Sequence, residues 1–130
     1  MRTPVIGNRI SAFALAAAFA ILGFAPPAMA APYDGSWTMI VMTTNGHCGT
    51  IKVGLAISAG KISSTSGKFV MRPIKVAGIV SGSGATKMNA VAGPRKAQGI
   101  GRFNGSRASG KWNGTGPSGV CSGVWTATRA

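Results

Sequence analysis

The sequence predicts an all-β fold, a small antiparallel up-and-down barrel of about eight strands, with a two-sheet sandwich as the alternative. Residues 31–130 contain 15 Ile and Val residues and nine Thr residues but one Leu, and β-branched side chains favour strands over helices. The 18 glycines of this segment recur every few residues, which a long helix would not tolerate. Hairpin-length spacing between the apolar runs favours the barrel, and no segment suits a βαβ crossover.

The strands are predicted in order from alternation and from the turn signals between them. The clearest has large apolar residues at positions 51, 53, 55 and 57, with Lys52 and small residues between them, so one face is expected to meet a core. A second clear strand alternates in the same way apart from Ile79. Turns are expected at Asn45-Gly46 and Asn104-Gly105 among other places. The predicted strands are 36–43, 51–58, 61–64, 68–72, 74–81, 86–91, 98–103, 110–114 and 120–128.

A Gly-x-Trp pattern occurs three times, at Trp37, Trp112 and Trp125. Each Trp shares a strand face with the glycine two residues before it, and we expect the missing side chain to leave room for the indole or for a sharp bend. Together with Phe103 these residues are the predicted aromatic core. An eight-strand barrel is just wide enough for side chains to fill, so we expect a filled interior; an aromatic-lined ligand cavity is the alternative.

Residues 1–30 have the order of a secretory signal peptide. A start containing Arg2 and Arg9 precedes an apolar and small run of 13 residues, and a small-x-small site ends at Ala30. The run is too short to span a bilayer, and no longer one follows. We therefore expect a single domain of residues 31–130, periplasmic or secreted, with no transmembrane segment after cleavage.

Export changes the interpretation of the two cysteines. Cys48 and Cys121 lie near opposite ends of the expected mature chain, and an isolated pair in an oxidising compartment is usually a disulfide. Two buried free thiols are the alternative, while a redox role would favour a Cys-x-x-Cys pair. We expect a structural disulfide that stabilises the domain by roughly 4 kcal/mol.

Several features together resemble a known group of proteins. They are the leader, Tyr33-Asp34-Gly35-Ser36-Trp37, a Cys a few residues after the first strand, and the closing segment 119–127. The chain resembles small exported glycine-rich β-barrel proteins of Gram-negative bacteria without an established role, some of which carry a haem-utilisation label. A looser likeness is to avidin-like and lipocalin barrels. The resemblance implies a periplasmic or secreted barrel with one disulfide, and it supplies no catalytic residues.

Composition excludes several chemistries. Asp34 is the one acidic residue, so paired-carboxylate hydrolysis and a calcium or magnesium cage are excluded, and the ligands for a zinc site are too few. His47 and Cys48 are adjacent and point to opposite faces of an extended chain, and no nucleophile-elbow motif accompanies a Ser, His47 and Asp34 triad. We predict no enzymatic activity and no cofactor. Haem held by His47 and a methionine remains an alternative without a pairing motif.

Charge is the strongest functional signal. Without the leader the chain has 12 basic residues and one acidic residue, a net charge of +11. We predict a binding protein for a polyanionic envelope or extracellular component, with no sequence-specific nucleic-acid binding. A charge that serves solubility and protects strand edges is the alternative, as are a small-ligand carrier with a barrel cavity and a hydrolase inhibitor using loops 45–49 or 114–118. The oligomeric state stays open. The predicted anion-binding patch is Arg95, Lys96, Arg102, Arg107 and Lys111.

Overall fold

The computed structural model describes residues 31–130, so the predicted leader lies outside the described residues. This part of the chain is built from strands joined by short turns. The strands are β1 (Gly35–Asn45), β2 (Thr50–Ser58), β3 (Lys61–Ser66), β4 (Lys68–Phe69), β5 (Arg72–Pro73), β6 (Lys75–Val80), β7 (Ala85–Ala92), β8 (Arg95–Asn104), β9 (Arg107–Gly116) and β10 (Gly119–Arg129). Within residues 31–130, no helix has the length and apolar character needed to cross a bilayer.

Eight of the strands close into an antiparallel barrel. Their order around the barrel is β9, β10, β1, β2, β3, β6, β7, β8, and β8 pairs back to β9. The closure depends on pairing between the first and last long strands, with Val41 opposite Trp125. Closure removes the exposed edges that invite aggregation. The predicted eight-strand up-and-down barrel is confirmed, and the sandwich alternative is wrong.

The predicted strand 68–72 is instead a small hairpin outside the barrel. β4 pairs with β5, Phe69 opposite Arg72, and the two residues between them reverse the chain. Val70 and Met71 both have positive φ values, 50° and 68°, which a continuous strand does not allow. The hairpin is therefore an excursion between β3 and β6, which pair with each other in the barrel wall.

The barrel has two different ends because consecutive strands run antiparallel. The end that carries residues 31–34 and the β2–β3, β6–β7 and β8–β9 turns is called the closed end. The other, called the open end, carries the β1–β2 loop, the β4–β5 hairpin and the β7–β8 and β9–β10 turns. The predicted disulfide is confirmed: Cys48 in the β1–β2 loop is bonded to Cys121 on β10, with the two Cα atoms 6.2 Å apart. It links the loop that follows β1 to β10, beside the strand pairing that closes the barrel.

The room for Trp125 comes from neighbouring strands, which the Gly-x-Trp interpretation did not anticipate. Its indole lies across β9 and β8, where a Cβ on Gly110 would approach the indole nitrogen to 2.7 Å and one on Gly99 to 3.4 Å. The indole N–H donates a hydrogen bond of 3.2 Å to the carbonyl oxygen of Ile100. A Cβ on Gly123, the glycine before Trp125, would instead meet the backbone of β1. The cross-strand glycines thus accommodate the ring.

Candidate functional site

The closed half of the barrel interior is filled by aromatic side chains. Phe103 packs edge-on against Trp37, with ring centroids 4.9 Å apart, and also contacts Tyr33 and Trp125 at 5.4 and 6.3 Å. Trp37, Phe103 and Trp125 are each 1% exposed. The indole N–H of Trp37 donates to the carbonyl oxygen of Tyr33, so the N-terminal segment covers this end. These rings occupy the space that a ligand in this half would need.

The open half contains a cavity, contrary to the expectation of a filled interior. The cavity has a volume of about 120 Å³ and reaches from Trp125 to the β9–β10 turn. The cavity exists because the inward-facing residues of β7, β8 and β9 are small and leave space unfilled; among them are Ala90, Ala97, Gly99 and Gly114. Trp112, placed by the sequence in the core, is half-buried here and borders the cavity, and its indole N–H donates to the Met42 carbonyl oxygen at 3.1 Å.

Most of the cavity wall is apolar. Side chains from β1, β2, β6 and β7 supply Met39, Val53, Val76 and Met88, all of which are buried. Arg95 is the charged residue among the inward-facing positions of β8: an even number of positions separates it from the buried Phe103, so both side chains lie on the same face of the strand. It lines the cavity near the open end. Its guanidinium carbon lies 5.3 Å from the centre of the Phe69 ring, a cation–π contact with the β4–β5 hairpin.

The five basic residues predicted as one patch do not share one surface. Arg95 faces the cavity, whereas Lys96, Arg102, Arg107 and Lys111 are exposed on the outer face of β8 and β9. Lys96 pairs with Thr115 near the open end and Arg107 pairs with Asn104 near the closed end, eight ladder positions away. At about 3.4 Å per residue they are roughly 27 Å apart along the strands. Arg102 and Lys111 are diagonal neighbours in the middle.

A different basic surface emerges from the strand register. Val124 on β10 lies opposite Lys111, Lys111 opposite Ile100, Ile100 opposite Lys87, Lys87 opposite Ile79, and Ile79 opposite Lys61 on β3. We call these six outward residues the lysine row: Lys61, Ile79, Lys87, Ile100, Lys111 and Val124. Lysine and aliphatic side chains alternate along it across six strands. Ile79 and Ile100 are 59% and 60% exposed, so the row presents apolar surface between its charges.

Lys61, Lys87 and the two isoleucines were not anticipated as site residues. The three lysines are separated by more than twenty positions in the chain, and no local pattern connects them. Four pairings bring them into one line: β3 with β6, β6 with β7, β7 with β8, and β8 with β9. The sequence contained one signal for this surface: Ile79, a large apolar residue that breaks the alternation of its strand and is exposed in the structure.

The nucleophilic sites considered from the sequence are not assembled. Cys48 is oxidised, so it offers no thiolate, and His47 is an exposed residue of the β1–β2 loop. Asp34 precedes β1 and His47 follows it, so the full length of this strand, more than 30 Å at about 3.4 Å per residue, separates them. The Asp34 carboxylate accepts hydrogen bonds from the backbone N–H groups of Ala59 and Gly60, at 2.7 and 3.1 Å. Its position indicates a role in holding the β2–β3 turn.

The barrel cavity does not fit haem, and the described residues form no metal centre. Among residues 31–130, no three His, Cys, Asp or Glu side chains come together as a metal site. Met39 and Met88 point into the barrel while His47 is exposed outside it. The cavity of about 120 Å³ is well below the 300–1,000 Å³ typical of pockets for drug-sized ligands, and haem exceeds that class. The loops considered for hydrolase inhibition, 45–49 and 114–118, both lie at the open end.

Comparison of the chain with protein-family models gives no match. A comparison with curated proteins gives no match either.

Proposed function

We propose that this chain is an exported, non-enzymatic binding protein that attaches to anionic cell-envelope or extracellular material through the lysine row. The observation that carries the proposal is the alternation of lysine and exposed aliphatic side chains along one line of the barrel wall. The strands fix the positions of these side chains. Because Lys61 and Lys111 are four strands apart in the closed ring of eight, the row curves around the barrel, and a flat target meets the part centred on Lys87, with Ile79 and Ile100 beside it and the other two lysines at the flanks.

The electrostatics of the row support an anionic target. Strands in a sheet are about 4.8 Å apart, so lysines on alternate strands are separated by roughly 10 Å, close to the Debye length at physiological salt. The potentials of neighbouring lysines in the row therefore overlap only in part at physiological salt, and the overlap grows as the salt concentration falls. Asp34, the one acidic residue of the chain, is at the closed end and is engaged by two backbone N–H groups. The row is not neutralised by protein carboxylates, which leaves the three ammonium groups available to a ligand.

The isoleucines between the lysines favour a particular kind of anionic material. A purely hydrophilic polyanion would gain nothing from Ile79 and Ile100, whereas a lipid headgroup region places phosphates beside acyl chains. Cationic and apolar side chains side by side are typical of surfaces that bind anionic lipid interfaces. We therefore infer lipopolysaccharide or anionic phospholipid as the preferred material, with acidic polysaccharide as a weaker ligand.

Retention on lipopolysaccharide and heparin resins across a salt gradient tests this function. Replacing Lys61, Lys87 and Lys111 by Gln should bring elution to markedly lower salt, because each lost phosphate contact removes about one unit from the slope of log affinity against log salt. The matched control removes three charges elsewhere, at Lys52, Lys68 and Arg107, all exposed outside the row. The two triple variants have equal net charge, so equal elution would refute the row and leave general charge as the cause.

The exported state has its own test. The mature protein recovered from the host should begin at Ala31, as intact mass measurement would show, because the small-x-small site ends at Ala30. A mass that includes residues 1–30 would contradict export with cleavage.

A further inference from the structure

We propose that the cavity of the open half is a second binding site, for a small organic acid with an apolar body about the size of a benzene ring. The carboxylate of this ligand would pair with the guanidinium of Arg95. The site is inside the barrel, whereas the lysine row is on its outer face, so this inference goes beyond the proposed function and does not depend on it.

The volume and lining of the cavity set the size and polarity of the ligand body. An engineered protein cavity of about 150 Å³ with aliphatic and aromatic walls stays dry and binds benzene. The cavity here measures about 120 Å³, and buried aliphatic residues including Val53, Val76 and Met88 form its deeper wall. A single aromatic ring or a chain of comparable volume matches this space. Larger ligands would require the wall to move.

Arg95 sets the charge of the ligand. Its side chain is half-buried at the edge of an apolar cavity, where its positive charge would attract the anionic group of a ligand bound inside. The guanidinium groups of Arg102 and Arg129 donate to backbone carbonyl oxygens, whereas the contact found for Arg95 is the face of Phe69. When an aromatic ring packs on one face of a guanidinium, the N–H groups at the edge of the guanidinium can still donate to a carboxylate in the same plane. This is the geometry of a bidentate arginine–carboxylate pair.

The β4–β5 hairpin adds an independent indication that this end of the barrel is functional. It places Phe69 at the cavity and holds its two turn residues at positive φ, although Val70 is β-branched and Met71 is not glycine. Such a conformation costs on the order of 1–3 kcal/mol for each residue and persists where the surrounding structure requires it. The strained turn is thus retained at the mouth of the cavity, next to the contact between Phe69 and Arg95.

Titration with benzoate and its neutral analogue benzamide tests the site. The readout is the indole N–H signals in an NMR spectrum of the folded, disulfide-bonded chain: Trp112 and Trp125 line the cavity, while Trp37 lies at the closed end and serves as an internal reference. Benzoate should shift the first two signals saturably and leave Trp37 unmoved. Benzamide, which has the same shape without the charge, should bind roughly ten-fold more weakly.

Three variants separate the cavity from other anion sites. Arg95→Gln should weaken benzoate binding roughly ten-fold and leave benzamide unchanged. Arg102→Gln is the matched control, since it removes the same charge from the outward face of the same strand. Ala90→Leu, which fills the cavity, should weaken both ligands; if this variant fails to fold, Ala90→Val serves the same purpose.

Each outcome of these titrations either supports or overturns the proposed cavity site. The proposal is overturned if benzoate causes no saturable shift, if benzoate and benzamide bind equally, if Arg95→Gln acts no more strongly than Arg102→Gln, or if filling the cavity leaves binding intact. None of these results depends on the lysine row, because all three of its lysines remain in every variant. Loss of one site and retention of the other would therefore distinguish the two proposals.

Discussion

Gly110→Ala should be among the most destabilising single-methyl additions in this protein. A Cβ at Gly110 would lie 2.7 Å from Gly101 Cα and 2.7 Å from the indole nitrogen of Trp125, and it would collide with the carbonyl oxygen of Ile100. Two of these neighbours are backbone atoms of β8, which a side-chain rotation cannot move. The indole would have to shift as well, losing its hydrogen bond to Ile100.

The size of the effect follows from these contacts. Overpacking of this kind costs about 1–3 kcal/mol, and a lost buried hydrogen bond costs about 1 kcal/mol. A total near 3 kcal/mol lowers the midpoint of thermal unfolding by roughly 12–24 °C in a domain of this size. Gly82→Ala is the control, because a methyl group on Gly82 would have no neighbour within 4 Å and this residue does not adopt positive φ. It should change stability by less than about 0.5 kcal/mol.

Thermal and urea unfolding of the oxidised protein, followed by tryptophan fluorescence, measures both variants. If Gly110→Ala unfolds within a few degrees of Gly82→Ala, the account of how the barrel accommodates Trp125 is wrong.

Three further predictions concern stability. Reduction of the disulfide, or replacement of Cys48 and Cys121 by Ser, should lower the free energy of unfolding by about 4 kcal/mol, because the bond closes a loop with a sequence separation of 73. A decrease of less than about 1 kcal/mol in urea unfolding would contradict this stabilising role of the disulfide. Arg129→Lys should be nearly as destabilising as Arg129→Ala in thermal unfolding. The guanidinium stacks on the Trp37 indole at 4.7 Å and also donates to two backbone carbonyl oxygens, a combination that an ammonium group cannot reproduce. Full recovery of stability with Lys would contradict this geometry. Replacing Val70 by Asn and Met71 by Gly should raise the unfolding midpoint, because these residues accept positive φ, and an unchanged or lower midpoint would show that the turn is not strained.

The fold could be predicted from the sequence because its determinants are local. Alternation in residues 51–58 places Val53, Leu55 and Ile57 in the core, as found, and the turn at Asn104-Gly105 separates β8 from β9 as expected. The predicted strand at 68–72 was wrong because no local sequence pattern indicates a positive φ at Val70. Sequence alternation cannot show such a conformation in a residue type that rarely adopts it.

The two candidate sites depend on information of different range. Arg95 has an even spacing from Phe103, so its inward direction was available from period-two alternation once the strand was known to begin at residue 95. The lysine row was not available, because it depends on the register of five separate strand pairings. A slip of one residue in any of them would turn a lysine or an isoleucine to the opposite face. Charge density along the chain therefore led to the prediction of an anionic ligand but not to the proposed surface.

The central claim is that the lysine row meets the anionic surface, and an NMR titration of an isotope-labelled chain of residues 31–130 with anionic phospholipid micelles tests it most directly. We predict that the backbone amide signals of Ile79, Lys87 and Ile100 move together and saturate, with smaller shifts at the flanking Lys61 and Lys111. High salt should reverse the shifts, and the amides of β2 should stay in place. Shifts that are absent, or that spread evenly over every basic residue of the barrel, would contradict it.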